Sequence, residues 1–449
     1  MKPLNILHIN TMDHGGGAAQ LAFNLLEGGD AAGHQGWLAV LKQTRADPRV
    51  YAIANDAHRH SWARFCNSVL RPLAGNRIAR TVGRPLSSAR VLLGHEDFDF
   101  PGSRHLLENA PGQPDLIHLH NLHGSFFDLR VLPELSRTIP TFLTLHDAWL
   151  TSGHCSHSFD CDRWRTGCGA CPDLTIYPAI RRDATAYNWQ RKQAIYAKSR
   201  LHIAVPCRWL MEKLQASMLA PAIASSRIIP HGIDLTVFKP GDRAAARREL
   251  GWPVEADILI FAAKGIRGNV AKDYQTMRRA LEILGAQATA RPLLFIALGD
   301  AAPMERIGNA ELRFVPHLSE RAAVARHYRA ADIYVHGARA EVWGLSITEA
   351  MACGLPVVAS AVGGIPDQMA DGRGGFLVPV GDAVAMAERI GQLVVDSRLR
   401  TEMGRRAQAR AHAEFGVQHM TRNYLDWYES VLHSPDSGRT GNTPAMPSS

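Results

Sequence analysis

Short apolar runs recur along the chain with helix-length gaps between many of them. The first half contains LNILHIN, GWLAVLK, DLIHLHN, TFLTLHDA and LHIAVP, and the second DILIFAAK, PLLFIALG, LRFVPHL, DIYVHGA, PVVASAV and GFLVPV. Runs this short, rich in Ile, Leu and Val, are what strands covered on both faces require, and the gaps between them leave room for crossover helices. The pattern restricts the chain to the α/β class with parallel sheets. Two such series imply two doubly wound domains, and 449 residues exceed what one ordinary core holds. The seam is expected in SSRIIPHGIDLTVFKPGD, where Pro230, Gly232 and Pro240 interrupt regular structure. This gives an N-terminal domain over 1–229 and a second over 230–413. A helix over 414–433 carries Phe415, Met420, Tyr424, Trp427 and Val431 at helical spacing and must pack on something. The tail 434–449, SPDSGRTGNTPAMPSS, has too few hydrophobes to order itself. Ligands of open parallel sheets bind beyond the carboxyl ends of the strands, so two facing sheets place the site in the cleft between them.

Composition excludes several classes. With 46% apolar and 20% charged residues and no run of 18 apolar ones, no segment reads as a membrane span. The start MKPLNILHINTMDHGG reads as a first strand rather than a signal peptide, which points to a reducing, cytoplasmic setting. The net charge of +8 is uneven. Between Ala57 and His95 stand Arg59, Arg64, Arg71, Arg77, Arg80, Arg84 and Arg90 with no acid, interleaved with Trp62, Phe65, Val69 and Leu70. That stretch is either a solvated, partly helical insertion or a surface for anionic lipid headgroups on the inner face of the plasma membrane. No nucleic-acid motif accompanies it, so a nucleic-acid partner is not expected.

The segment AEVWGLSITEAMACGLPVVAS places Glu341 and Glu349 around a short turn. Glu349 stands three residues after Ser346, the spacing of a capping box. Glu341 follows the strand DIYVHGA at its carboxyl end. Gly344 lets the backbone approach a ligand, and the helix beginning there presents the free amides of Leu345 and Ser346 to an anion such as a diphosphate.

The string EVWGLSITEAMACGLPVVASAVGGIPD resembles the nucleotide-sugar segment of retaining family 4 glycosyltransferases, enzymes with two Rossmann-like domains in the GT-B arrangement. The resemblance covers nearly the whole chain and is most specific over 320–380. It implies transfer of a sugar from a nucleotide diphosphate sugar to a hydroxyl of a glycan or lipid-linked oligosaccharide, without a catalytic metal. Glu341 would contact hydroxyls of the sugar and Glu349 the ribose. Trp343 stands where phenylalanine is usual, and Val342 replaces a frequent proline. Gly15, Gly16 and Gly17, in HINTMDHGGGAAQLAF, resemble the glycine loop that faces the donor phosphates. His146, at the end of FLTLHDAW, resembles the histidine beside the donor sugar. The diphosphate cations are expected in FAAKGIRGNVAKDYQTM: Lys264 where arginine is usual, Lys272 where lysine is usual, and Arg267 as a rival for the first role. The terminal helix resembles the one that returns to the N-domain.

Four cysteines, Cys155, Cys161, Cys168 and Cys171, crowd into an insertion over 153–173, GHCSHSFDCDRWRTGCGACPD, beside His154 and His157. In a reducing setting this array reads as a structural zinc site before disulfides, with four free thiols as the bland alternative. The insertion follows His146 and Asp147, so it should overhang the acceptor side of the cleft. Similar insertions are expected in a bacterial exopolysaccharide and capsule subgroup, with lipopolysaccharide assembly as a neighbouring role. Rival readings are a nucleotide-sugar epimerase or hydrolase on the same fold, and a membrane-docked, zinc-containing interaction subunit with a vestigial transferase site.

Overall fold

The computed structural model describes residues 2–287, 291–370 and 372–434. Apart from Ser434, the tail expected to be disordered lies outside the described residues.

Two seven-stranded sheets are present. The first contains β1 (Asn5–Met12), β2 (Gln35–Lys42), β3 (Val50–Ala52), β4 (Leu116–Leu119), β5 (Thr141–Thr144), β6 (Leu201–Val205) and β7 (Ile223–Ile228). Its order is β3-β2-β1-β4-β5-β6-β7, and every pairing is parallel. The second contains β8 (Asp257–Ala262), β9 (Leu293–Leu298), β10 (Glu305–Ile307), β11 (Ala310–Val315), β12 (Ile333–His336), β13 (Val357–Ser360) and β14 (Gly375–Val378). Its order is β10-β11-β9-β8-β12-β13-β14, with only β10 antiparallel. The fold is therefore two Rossmann-like domains, the α/β class the apolar runs require.

The eleven apolar runs all become strands. The three strands without such a run, β3, β7 and β10, lie at sheet edges. An edge strand is not buried on all sides, so it needs no continuous apolar sequence. β7 reads IASSRI and β10 reads ERI, neither with a buried residue. Most residues of β8 and β9, in contrast, are inaccessible.

The chain passes between the domains twice, side by side. Ile233 N donates to Phe415 O at 2.8 Å and Val417 N to Ile233 O at 2.9 Å. The second passage leads into the helix Val417–Leu432, which packs on the first domain. Its Met420, Tyr424, Trp427 and Tyr428 join Leu4, Ile6, Leu21, Leu25, Leu116 and Phe142 in one buried cluster. Tyr424 and Tyr428 extend the contact by bonding Thr144 at 2.8 Å and His118 at 2.6 Å. The arginine-rich stretch forms the helices Ser61–Gly83 and Pro85–Leu92, the first broken at Gly75.

Candidate functional site

The site is built from loops at the carboxyl ends of both sheets. After β1 the chain turns through Asp13 and His14 into Gly15, Gly16 and Gly17, where the helix Gly17–Ala31 begins. Asp13 is fully buried. It accepts from Thr44 N at 2.6 Å and Arg45 N at 2.8 Å, which ties this loop to the one after β2. Burial alone would raise its carboxyl, but these bonds, with those of the Thr44 hydroxyl and His14, hold it well below the usual range. Gly15 and Gly16 have φ of 74° and 97°, and nothing lies within 4 Å of where their Cβ atoms would be. A Cβ on Gly17 would stand 3.2 Å from Leu345 Cδ1 of the second domain. The glycine loop therefore lies directly over the first turn of the helix Leu345–Ala352.

That helix starts at Gly344, and no side chain caps it. The capping-box spacing of Ser346 and Glu349 is accordingly not used. Ser346 Oγ accepts from Tyr334 at 2.8 Å, while the half-buried Glu349 carboxylate accepts from Tyr328 at 3.3 Å. Gln368 clamps the turn instead: its Oε1 takes the Gly344 N–H at 3.0 Å and its Nε2 donates to Gly344 O at 3.0 Å. The turn into the helix is thus fixed, and the positive end of the helix dipole stands at the Leu345 end, whose side chain meets Gly17. Burial pushes Glu349 up to about 7, only partly offset by Arg321 and the Tyr328 bond.

Glu341 stands three residues ahead of Gly344. One of its oxygens is in contact with the Lys272 ammonium, and His336 Nε2 is 3.3 Å from the same oxygen. Burial raises the carboxyl, but Lys272 and His336 outweigh it and hold Glu341 well below the usual carboxylate range. Its backbone is fixed by the GGIP turn. Gly364 N donates to Glu341 O at 3.1 Å, and a Cβ on Gly363, whose φ is 57°, would fall 1.8 Å from that oxygen. Only glycine fits there.

Of the residues read for the two diphosphate cations, Lys264, Lys272 and the rival Arg267, each has a different environment. Lys264 is exposed just beyond β8 and has no salt-bridge partner among the described residues. Lys272 is held on Glu341 rather than standing free. Arg267 does not join them: Asp300, just after β9, takes its Nε at 3.0 Å, and its guanidinium lies over the Phe314 ring.

The first domain contributes His146 after β5. It is half-buried in a row of aromatic rings, with its centroid 5.0 Å from His231, which is 6.3 Å from Trp343. His146 Nδ1, His231 Nε2 and Trp343 Nε1 are all buried without hydrogen-bond partners. Three orphaned polar atoms in adjoining rings between two domains are what a polar ligand would satisfy. Neither His231 nor Trp343 has a sequence spacing that marks it as such.

The four cysteines line one cavity with His154, Trp164 and Thr185. All four are free thiols. Gly153 N donates to Cys168 Sγ at 3.3 Å, and His154 Nε2 is 3.4 Å from Cys171 Sγ. Burial raises Cys155, Cys171 and Cys168, the last to about 11. The insertion is anchored from below by the buried Lys192, which bonds Trp149 O at 3.0 Å, Ser152 O at 3.1 Å and Glu96 at 2.8 Å. Burial lowers the His157 imidazole while the charges of Asp147 and Glu341 pull it up.

A glycine loop opposed to a helix N-terminus between two facing parallel sheets defines the GT-B architecture. Sucrose-phosphate synthase from Thermosynechococcus elongatus has this fold, with a TM-score of 0.63 at 19% identity over 96% of this chain and 99% of that one. Anabaena HepE in complex with UDP-glucose also has it, with a TM-score of 0.61 at 17% identity over 95% and 100%. Residues 15–237 match the family described as Glycosyltransferase Family 4, and residues 247–410 match Glycosyl transferases group 1. D-inositol 3-phosphate glycosyltransferase 1 of Catenulispora acidiphila is 34% identical over 337 residues, 72% of this chain and 74% of that protein. The second such protein of that organism is 36% identical over 199 residues, 41% of this chain and 46% of that one. The chain thus spans about half the length of several curated relatives it matches. It belongs to the group 1, family 4 glycosyltransferases.

Proposed function

We propose that the protein is a retaining glycosyltransferase that moves a sugar from a nucleotide diphosphate sugar to a hydroxyl of a glycan or lipid-linked oligosaccharide in cell-surface polysaccharide synthesis. The observation that carries this reading is the close approach of Gly17 to Leu345, which sets the glycine loop of one domain against the first turn of a helix in the other. The orphaned atoms of His146, His231 and Trp343, in adjoining rings, support it. Family membership and the UDP-glucose complex of the Anabaena protein support a nucleotide-sugar donor. The names of the relatives add an inositol phosphate to the acceptors worth testing.

In this mechanism the diphosphate docks on the helix amides and the glycine loop, where Lys264 is free to reach it. Lys272 exchanges its bond with Glu341 for the diphosphate as the donor enters. Glu341 then accepts from hydroxyls of the sugar, and His146 steadies it from the opposite domain. As the glycosidic bond breaks, charge grows on the leaving diphosphate, and these preset donors stabilise it. The acceptor hydroxyl attacks from the same face and passes its proton to the departing phosphate, which retains the anomeric configuration.

The cysteine insertion is a candidate for a structural Zn2+, since four thiols line one cavity and a backbone N–H is already directed at Cys168; no three of the sulfurs lie within 4.8 Å of one another, so the loop would have to draw in around the ion. Cys155, Cys161, Cys168 and Cys171 would hold it. Such a site cross-links the loop and supplies no reaction step. The arginine helices fit an anionic membrane surface. Arg64, Arg71, Arg77 and Arg90 have no salt-bridge partner among the described residues, and Trp62, Phe65, Leu73 and Leu86 are exposed beside them. Arg59, Arg80 and Arg84 are instead taken by Asp56, Asp97 and Asp99. No helix among the described residues is long and apolar enough to cross a membrane.

A panel of nucleotide sugars, scored by nucleotide release with and without a membrane extract, tests the function. Acceptor-dependent release supports it. Release without acceptor favours the epimerase or hydrolase, and donor binding without turnover favours the vestigial subunit.

A further inference from the structure

Behind His146 the first domain contains a chain of buried imidazoles. His8 on β1 places its Nδ1 3.4 Å from His120 Nε2, and His120 Nδ1 is 3.3 Å from His146 Nε2. The chain ends on His146 Nδ1, the buried atom without a partner. His118 packs against His120 with ring centroids 4.2 Å apart, but both of its nitrogens are taken, by Thr144 at 2.8 Å and Tyr428 at 2.6 Å. Burial keeps all three members of the chain below the usual imidazole range, His8 at about 3, so they are neutral in ordinary buffers.

A neutral imidazole has one N–H and one lone pair. Each contact in the chain needs one proton between its two nitrogens. If His146 carries its proton on Nδ1, then His120 must donate from Nδ1, and so must His8. If His146 carries it on Nε2, the other two must do the same. A mixed arrangement sets two N–H groups, or two lone pairs, against each other in a buried site, which costs the full desolvation of a polar group. Resting on the function proposed above, we propose that His8 and His120 are positioning residues that fix the tautomer of His146, and so decide whether it presents a donor or an acceptor to the transferred sugar. Both states are uncharged, and a change from one to the other moves a proton across each contact and balances only if the far ends exchange one as well, His8 Nε2 taking up a proton as His146 Nδ1 releases one, or the reverse.

A buried metal is the rival use of these rings, since ligand atoms of His8, His118 and His120 lie within 4.8 Å of one another. It would require His118 to release one of its two hydroxyl partners.

The test is the imidazole nitrogen spectrum of the full chain labelled with 15N-histidine, which reports each tautomer without any ligand. One shared tautomer at His8, His120 and His146 supports the proposal; a mixed set, or a metal at these rings that chelator removes, overturns it. His8→Phe should leave His146 in a mixture of tautomers and lower kcat/KM by about tenfold, the scale seen for outer-shell partners of a functional imidazole. His8→Gln, which can donate or accept, should restore both the single form and the rate. If His8→Phe melts below the assay temperature, the His8→Gln spectrum decides: an unchanged single tautomer supports the chain and a mixture overturns it. A wild type that transfers no sugar would defeat the proposed function, while the ligand-free spectrum would still decide the chain.

Discussion

Gly17 in the first domain and Leu345 in the second face each other so closely that a single added Cβ would touch, 3.2 Å from the Leu345 methyl. The glycine loop and the helix N-terminus therefore form the two walls of one narrow site. Gly17→Ala should be nearly silent, because the methyl it meets is the free end of a flexible side chain. Gly17→Leu should wedge the walls apart and lower kcat/KM by about tenfold or more, with little change in Tm, because misplacement of reacting groups is costly. Steady-state kinetics beside a melting curve check this, and normal kinetics for Gly17→Leu would contradict it.

Glu349 should link stability and donor binding to pH. Its folded value of about 7 is above the ordinary 4.5, so the folded protein keeps a proton that the unfolded chain has lost. The associated stability is fully present below about 4.5 and is lost as pH rises to about 7. His8, His120, His146 and His231 act in the opposite sense, since their folded values are lowered. The quantity to measure is therefore the Tm of Glu349→Gln minus that of the wild type between pH 5 and pH 8, which should rise with pH. Ribose hydroxyls bonding to the carboxylate would favour its charged form, so donor binding near pH 7 should release a proton. Calorimetry in two buffers of different ionisation heat should detect that release and show its loss in Glu349→Gln.

What was legible in the sequence follows the locality of the interaction. Double-sided burial writes itself as an apolar run, so β8, β9 and β12 are plain, whereas the edge strands β3, β7 and β10 carry no such mark. Glu341, Gly344 and Glu349 share one short string and were visible together. The capture of Arg267 by Asp300, 33 residues away, was not. Nor was the Tyr328 bond to Glu349, which replaces the capping box read from Ser346. His8 and His120 meet across 112 residues through the pairing of β1 with β4, and only the sheet order makes them neighbours.

The cysteine insertion should carry one equivalent of zinc in purified protein. Cys168→Ser should lower the metal content, lower Tm and raise the acceptor KM more than the donor KM, because the loop follows His146 and Asp147 directly in the chain. No zinc, with all four thiols titrating freely, would contradict the metal site.

Vesicles containing anionic lipid should bind the protein at low salt and release it as salt rises, since each arginine near such a surface is worth about 1 kcal/mol. Replacing Arg64, Arg71, Arg77 and Arg90 with glutamate should abolish binding without altering nucleotide release on a soluble acceptor. Equal sedimentation of wild type and variant with the vesicles would rule out this surface.

The central claim is that the half-buried, ionised Glu341 holds the transferred sugar, and Glu341→Gln tests it most directly. Acceptor-dependent nucleotide release should fall by about a hundredfold, the scale for removing one preset group from a site that stabilises developing charge, with Tm preserved. Turnover close to wild type in a folded Glu341→Gln would contradict the account.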